Sequence, residues 1–345
     1  PLELSSAASD VYKRQAELGP GHGPTVGLRV DMDALPVEER TGLSYASTRQ
    51  GLMHACGHDL HTCTGLGVAR LLAQEPHLGA RVRLLFQPAE ELAQGAVWMR
   101  DAGAVEGLDA LYGVHVVPNL PVGTVGIRRG CLTAAAGELE ILVQGEGGHG
   151  ARPHQSVDAV WLAARVITEL QQTIARRLDA LQPVVISFGK VEGGRAFNVI
   201  ADQVRLLGTV RCLDLQQHAQ LPAWIDETVQ GICASGGGTA VVNYRCIAPP
   251  VHNDPQLTTL LERCAVECLG RDKVLPVEQP SLGAEDFAEL LRDVPGMMVR
   301  LGVAGPEGCA PLHNGAFALE EDALGVGIAV LTATVLAWIT ENTSA

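Results

Sequence analysis

No uninterrupted apolar run in this chain approaches the ~20 residues of a membrane-spanning helix, and its first residues carry no apolar signal-peptide core. A membrane partner is therefore not expected. Basic residues are scarce too: 25 Lys and Arg face 39 Asp and Glu, a net charge of −14, and no basic run is interleaved with aromatics. Nucleic acid is excluded as an expected partner on the same ground. The 9 cysteines are odd in number and scattered through helix-like and strand-like stretches, which is no disulfide framework. They read as mostly buried thiols of a reducing cytoplasm. There is no internal repeat and no low-complexity tract. What remains is 345 residues with 47% hydrophobic content, enough for a large core and two domains.

The densest chemistry lies in Met53-His54-Ala55-Cys56-Gly57-His58-Asp59-Leu60-His61-Thr62, which gathers a thiol, three imidazoles and a carboxylate where the whole chain has 11 His. Such side chains seldom gather for packing alone, so the cluster signals a metal or a nucleophile. Cys56 and His58 can face one point if Gly57 makes a tight turn. Helical periodicity then begins, through Leu60, Thr64, Leu66, Val68, Leu71 and Leu72, with Asp59 placed as a cap.

Pro1 to Gln15 shows no clear period and leads into nothing that continues it. Asp10-Val-Tyr-Lys-Arg-Gln15 also resembles the translation of a transposon-end sequencing adapter, so residues 1–15 are set aside as a non-native leader. Beyond it, Thr25–Met32, Arg81–Phe86 and Ala110–His115 read as strands alternating with helices, the pattern of a mostly parallel sheet covered on both faces. In such sheets ligands sit at the carboxyl ends of strands, and Asp31, Asp33, Glu90, Glu91 and His115 fall at those ends. From Gly137 to Ile247 the order changes to β-α-β-β-α-β, a ferredoxin-like unit inserted before the alternation resumes. The expected organisation is α/β. A catalytic domain spans 16–134 and 249–345 and is interrupted by an inserted lid or dimerisation domain at 135–248.

Glu90 and Glu91 are consecutive after a strand, so their side chains diverge. One can bind a metal while the other takes a proton from water; an exposed acidic pair at a helix start is the plainer alternative. His313, in Pro311-Leu-His-Asn-Gly-Ala-Phe317, can reach the same strand ends from beyond the insertion. Cys56, His58, Glu91, His115 and His313 make five candidate ligands, too many for one tetrahedral zinc and suited to two metals sharing a water.

Met53-His-Ala-Cys-Gly-His-Asp59, Phe86-Gln-Pro-Ala-Glu-Glu91, Gly113-Val-His115, Gly147-Gly-His-Gly-Ala-Arg-Pro-His154, Asn198-Val-Ile200, Gly208-Thr-Val-Arg211, Ala284-Glu-Asp-Phe287 and Leu312-His-Asn314 occur in order along the chain. Together they resemble the motif series of the M20 metallopeptidases, and within it the amidohydrolase branch of hippurate hydrolases, N-acyl-amino-acid amidohydrolases and auxin-conjugate hydrolases. The resemblance implies a two-metal α/β catalytic domain with an inserted dimerisation domain. It makes Cys56, His58, Glu91, His115 and His313 metal ligands and Glu90 the general base. It makes His149 an oxyanion donor, commonly supplied by the partner subunit, with Asn198 and Arg211 holding the substrate, Arg211 as a fork on a carboxylate. The plainer readings are a solvent-facing loop for His149 and a strand-face ion pair for Arg211.

Three departures stand out. The family usually has some sixty or more residues ahead of the first strand read here. Ala201 and Gly315 also stand where the family commonly has proline. The reaction expected is hydrolysis of the amide bond of N-acyl amino acids by metal-activated water, in a cytoplasmic homodimer joined through the inserted domain. Two divalent ions are expected, zinc or manganese, with cobalt and nickel as further candidates. A carboxypeptidase or dipeptidase using the same site, a Cys56-dependent amidase with His58 or His54 as base, and a truncated fragment that binds metal without turnover are the alternatives.

Overall fold

The computed structural model describes residues 15–179, 181 and 183–343. The expected leader lies outside the described residues except for Gln15. In chain order the first stretch holds β1 (Gln15–Leu18), β2 (Thr25–Asp31), α1 (His58–Leu72), β3 (Arg81–Gln87), α2 (Gly95–Asp101), β4 (Ala110–Pro121), β5 (Val125–Ile127) and β6 (Gly130–Cys131). Next come β7 (Ala135–Gln144), β8 (Gly148–His149), α3 (Ala159–Arg177), β9 (Val184–Gly193), β10 (Val199–Ile200), β11 (Gln203–Cys212), α4 (Leu215–Ser235) and β12 (Thr239–Ala248). The chain closes with β13 (His252–Asn253), α5 (Pro255–Leu269), β14 (Val274–Pro276), α6 (Phe287–Leu290), β15 (Gly296–Ala304) and α7 (Ala323–Thr343).

Two compact units result, one of Pro1–Leu132, Val251–Pro280 and Glu285–Ala345, the other of Thr133–Pro250 and Ser281–Ala284. The first is built on a seven-stranded sheet in the order β1-β3-β2-β4-β15-β5-β14. β2 pairs in parallel with β3 and β4, and β15 in parallel with β4, while β1 and β5 add antiparallel pairings. Every residue of β2 is buried, as a strand covered on both faces requires. Alternate residues of the central strands feed two apolar layers. Val26, Leu28, Val30 and Tyr112 pack with α1, α5 and α7, and Leu85 and Leu111 pack with Met99 and Phe287.

Two expectations are corrected here. Gln15 is not part of a structureless lead-in: it opens β1, opposite Leu85. Ala16 and Leu18 point inward, but a two-fold alternation only four residues long is too short to recognise by period. Asp59 is not the cap of α1. Gly57 occupies the cap position with φ 77°, and the Asp59 carboxylate accepts from Leu60 N–H at 2.9 Å inside the first turn. By length and composition alone α7 could cross a membrane, with mean hydropathy 2.0, yet half of that stretch is buried in the first unit's core.

The second unit is a four-stranded antiparallel sheet in the order β12-β7-β11-β9 with α3 and α4 packed on it. This is the ferredoxin-like β-α-β-β-α-β arrangement. Leu139, Ile141 and Val143 of β7 face the helices, while Glu138 and Glu140, which alternate with them, pair with Arg245 and Arg205. Asp158 caps α3 by accepting from Val160 N–H and Trp161 N–H.

Asn253 in the first unit is fully buried. Its Nδ2 donates to the carbonyls of Arg128 at 2.9 Å and Met298 at 3.1 Å, and its Oδ1 accepts from Met298 N–H at 2.9 Å. Asn253→Ala would strand those groups without water, so unfolding free energy should fall by about 3 kcal/mol in urea titration.

Candidate active site

The cluster forms beyond the ends of β2 and β3 and beside β4, which does not stop at His115 as expected but runs on to Pro121 along β15, so His115 lies inside the strand. Gly57, in the left-handed region, turns the chain between Cys56 and His58 and presses so closely on β4 that a Cβ would stand 2.6 Å from Val116 Cγ2. Cys56 Sγ lies 3.6 Å from His115 Nε2. His313 arrives from the far part of the chain, tied by its N–H to Ala55 O at 2.8 Å, and its Nε2 stands 3.3 Å from Glu91 Oε1. The ligand atoms of Cys56, His58 and His115 all lie within 4.8 Å of one another, as do those of Cys56, Glu91 and His313. The five candidate ligands therefore converge in two triads that share the Cys56 sulfur.

Hydrogen bonds fix which imidazole nitrogen is free. His58 Nδ1 faces the Asp33 carbonyl at 3.1 Å and so carries its proton, which leaves the Nε2 lone pair inward. His115 Nδ1 donates to Val116 O at 2.7 Å, and its Nε2 is directed at Cys56. Burial drives the His115 pKa well below the usual histidine value, so it stays a neutral donor. His61 is spent: Nδ1 is 2.6 Å from Asp31 Oδ1, and Nε2 accepts from Val116 N–H at 2.9 Å. His54 Nδ1 is likewise committed, at 3.1 Å from the Asp33 carbonyl.

These contacts weigh against a thiol mechanism. His54 Nδ1 is held by the Asp33 carbonyl, and although His58 Nε2 is free, burial together with the Glu91 and Glu90 carboxylates pushes the thiol pKa up, away from the thiolate a nucleophile needs. A cation suits the site better. His58 Nε2 and Glu91 Oε1 are buried without a hydrogen-bond partner. Leaving such atoms unsatisfied is costly. Sulfur, imidazole nitrogen and carboxylate oxygen together are the donor set of borderline divalent metals such as zinc.

Glu90 stands behind this set with Glu285 and Asp286, their oxygens within 4.8 Å of one another. Burial and then Glu285 raise the Glu90 carboxyl to about 11. Asp31 goes the other way: burial alone would raise it, but His61 and Arg29 hold it well below the usual carboxylate range.

The other expected residues lie in the second unit. His149 is exposed on β8, opposite Val199 of β10, and its Nδ1 accepts from Ala151 N–H at 3.1 Å, which places the remaining proton on Nε2. Asn198 adjoins it, its carbonyl accepting from Gly150 N–H at 2.8 Å. Arg211 is elsewhere. On the order of 26 Å of β11 separates it from Gln203, the end near His149. There its guanidinium donates to Leu282 O at 3.1 Å, to Val210 O at 3.0 Å and to Thr209 Oγ1.

The model of peptidase family M20/M25/M40 matches residues 27–337. The chain belongs to that family. A probable hydrolase of Synechocystis sp. is 52% identical over 324 residues, covering 93% of this chain and 82% of the relative. An N-acetylcysteine deacetylase of Bacillus subtilis is 39% identical over 305 residues, covering 88% and 79% respectively. Among solved structures, the YXEP protein of Bacillus subtilis, a dinuclear metal binding peptidase from the M20 family, superposes with a TM-score of 0.81 at 34% identity, covering 94% of this chain and 84% of that one. This M20 chain is accordingly a hydrolase of the amidohydrolase and peptidase kind.

Sequence reasoning placed Asp31 and Asp33 at a strand end but gave them no task. In this M20 site Asp33 aligns two donors, His58 through its carbonyl and Glu91 through Oδ2, which accepts Glu91 N–H at 3.0 Å. Glu285 and Asp286 were noted within the motif Ala284-Glu-Asp-Phe287 but given no task, and Arg29 was missed. Arg29 could have been noticed as a charge within an otherwise apolar strand. Asp33→Ala keeps the carbonyl that faces His58 and removes only the Oδ2 bond to Glu91 N–H, so divalent-metal binding should weaken about tenfold, the lower end of the cost of losing an orienting partner, read by competition with a chromophoric chelator.

Proposed function

We propose that this chain hydrolyses the amide bond of N-acyl amino acids, with Cys56, His58, Glu91, His115 and His313 holding two divalent cations, zinc or manganese being the favoured pair. One observation carries the reading: five donors from four distant segments converge in two triads sharing Cys56, with His58 Nε2 and Glu91 Oε1 buried and unsatisfied. Bound cations would lower the pKa of a shared water and polarise the acyl oxygen. Glu90 takes the proton of that water and delivers it to the departing amine. Burial and Glu285 alone raise its carboxyl, and the positive charge of bound cations would draw it back toward the ionised form that a base requires. The deacetylase relative supports an N-acyl amino acid as substrate class.

His149 supplies Nε2–H to the developing oxyanion, Asn198 assists it, and Arg211 grips the substrate carboxylate. Because His149 and Arg211 stand at opposite ends of the second unit's sheet, one substrate meets both only if two copies contribute. The working form is therefore a homodimer through the second unit, in the cytoplasm, with His149 acting from the partner.

Two tests follow. Glu90→Gln should abolish turnover and keep metal, since the amide preserves shape but accepts no proton, whereas Glu91→Gln should lose metal; elemental analysis of both variants decides the division of labour. His149→Ala should cost on the order of 10² to 10³ in turnover. Mixed with Glu90→Gln under subunit exchange it should regain part of the activity, and exchange without recovery removes the composite site.

A further inference from the structure

Glu90 and Glu91 sit on a loop, Pro88 to Gln94, that has no regular structure of its own between β3 and α2. Its ends all but touch. Gly95 N–H donates to Ala89 O at 3.1 Å, and a Cβ at Gly95 would fall 1.6 Å from Pro88 O. Ala89 and Ala93 bracket the acidic pair with φ of 53° and 51°, a left-handed conformation that costs an L-residue roughly 1–2 kcal/mol each. A loop bent this way needs something to hold it shut.

Asp286 is in the right place to do so. Gln94 occupies the cap position of α2, but its side chain makes no cap bond. Ala96 N–H of that first turn donates instead to Asp286 Oδ2 at 3.0 Å, across 190 positions of chain. The other oxygen, Oδ1, accepts from Gln87 Nε2 at 2.7 Å. Gln87 is the last residue of β3, so one carboxylate holds the residue before the loop and the turn after it. Asp286 makes no cap bond to α6, which it precedes. Arg29 locks the assembly from below, donating to Gln87 Oε1 at 2.8 Å and to Asp286 Oδ1 at 3.2 Å, and Gln87, Asp286 and Arg29 are all buried.

We infer that Asp286 is a positioning residue: by clamping both ends of the Pro88–Gln94 loop it sets where Glu90 and Glu91 point, without touching substrate or metal. The inference rests on the roles proposed above for Glu90 and Glu91. A merely structural carboxylate would lower the melting temperature and leave the folded protein's loop and chemistry unchanged. A clamp acts within the folded state.

The variants are Asp286→Asn, which keeps the shape but replaces one acceptor oxygen by a donor, and Gln87→Met, which releases the β3 arm together with the Arg29 bond to Gln87 Oε1 and leaves the bond to Ala96 N–H in place. In metal-free protein, amide exchange at Ala93, Gln94 and Gly95 should quicken about tenfold, the worth of one hydrogen bond, while α1 amides keep their rates. Divalent-metal affinity should fall about 10- to 100-fold. On an N-acetyl amino acid, kcat should fall about 100-fold, as for a misplacement near 1 Å, with KM little changed. Gln87→Met should move all three readouts the same way and by less. Folded Asp286→Asn with wild-type loop exchange and wild-type metal affinity overturns the clamp. If that variant does not fold, Gln87→Met decides by the same readouts. If the wild-type protein cleaves no N-acyl amino acid, the proposed substrate fails, and exchange and metal affinity still judge the clamp.

Discussion

A guanidinium with no exposed surface lies in the middle of β2, and much of the first unit is arranged to make it tolerable. Stripping Arg29 of water costs several kcal/mol, and only well-placed opposite charge offsets it. Asp31 Oδ2 stands 2.8 Å away, Glu285 Oε1 3.1 Å and Asp286 Oδ1 3.2 Å. Two of these partners follow the insertion in sequence. Arg29 gains its full set of carboxylate partners only when the returning segment has docked, which ties the two halves of the interrupted unit together more specifically than apolar packing does. Phe287 adds its ring face, 5.7 Å from the guanidinium carbon.

The same charge sorts the carboxylates around it. Asp31, pinned between Arg29 and His61, is kept ionised and serves as an anchor for an imidazole. Glu90, crowded by Glu285 in a buried corner, favours its protonated form. Asp286 lies between these extremes: burial raises its carboxyl and Arg29 draws it back, leaving it at about 7. Identical chemistry is given separate duties by distance to one cation and by access to water.

Much of this was legible before any coordinates. Glu90 and Glu91 follow the end of an apolar strand, where ligands bind in parallel sheets, and the other donors could be grouped with them from motif order, although nothing in the sequence showed that β4 continues past His115. The ferredoxin-like module showed itself through clear alternation in β7 and clear helical period in α3. What escaped was the support. Asp33 acts largely through its backbone carbonyl, which has no residue-type signature. Asp286 reaches across 190 positions to Ala96, a pairing that periodicity does not encode. His313 holds φ 63°, unusual for a residue with a side chain, and nothing in Pro311-Leu-His-Asn announces it. The separation of Arg211 from His149 along β11 needed the strand register.

The tight seat of Gly57 against Val116 limits how such a site can change over evolutionary time. Cys56 and His58 flank that glycine, and Val116 follows His115, so one missing Cβ governs the spacing of three donors at once. Substitution there would move them as a block, which makes the donor set a unit of inheritance rather than a collection of adjustable parts. Freedom to drift lies where side chains meet nothing, as at Phe197, fully exposed beside Asn198. Diversification among chains built this way would then run through the rim while the centre stays fixed.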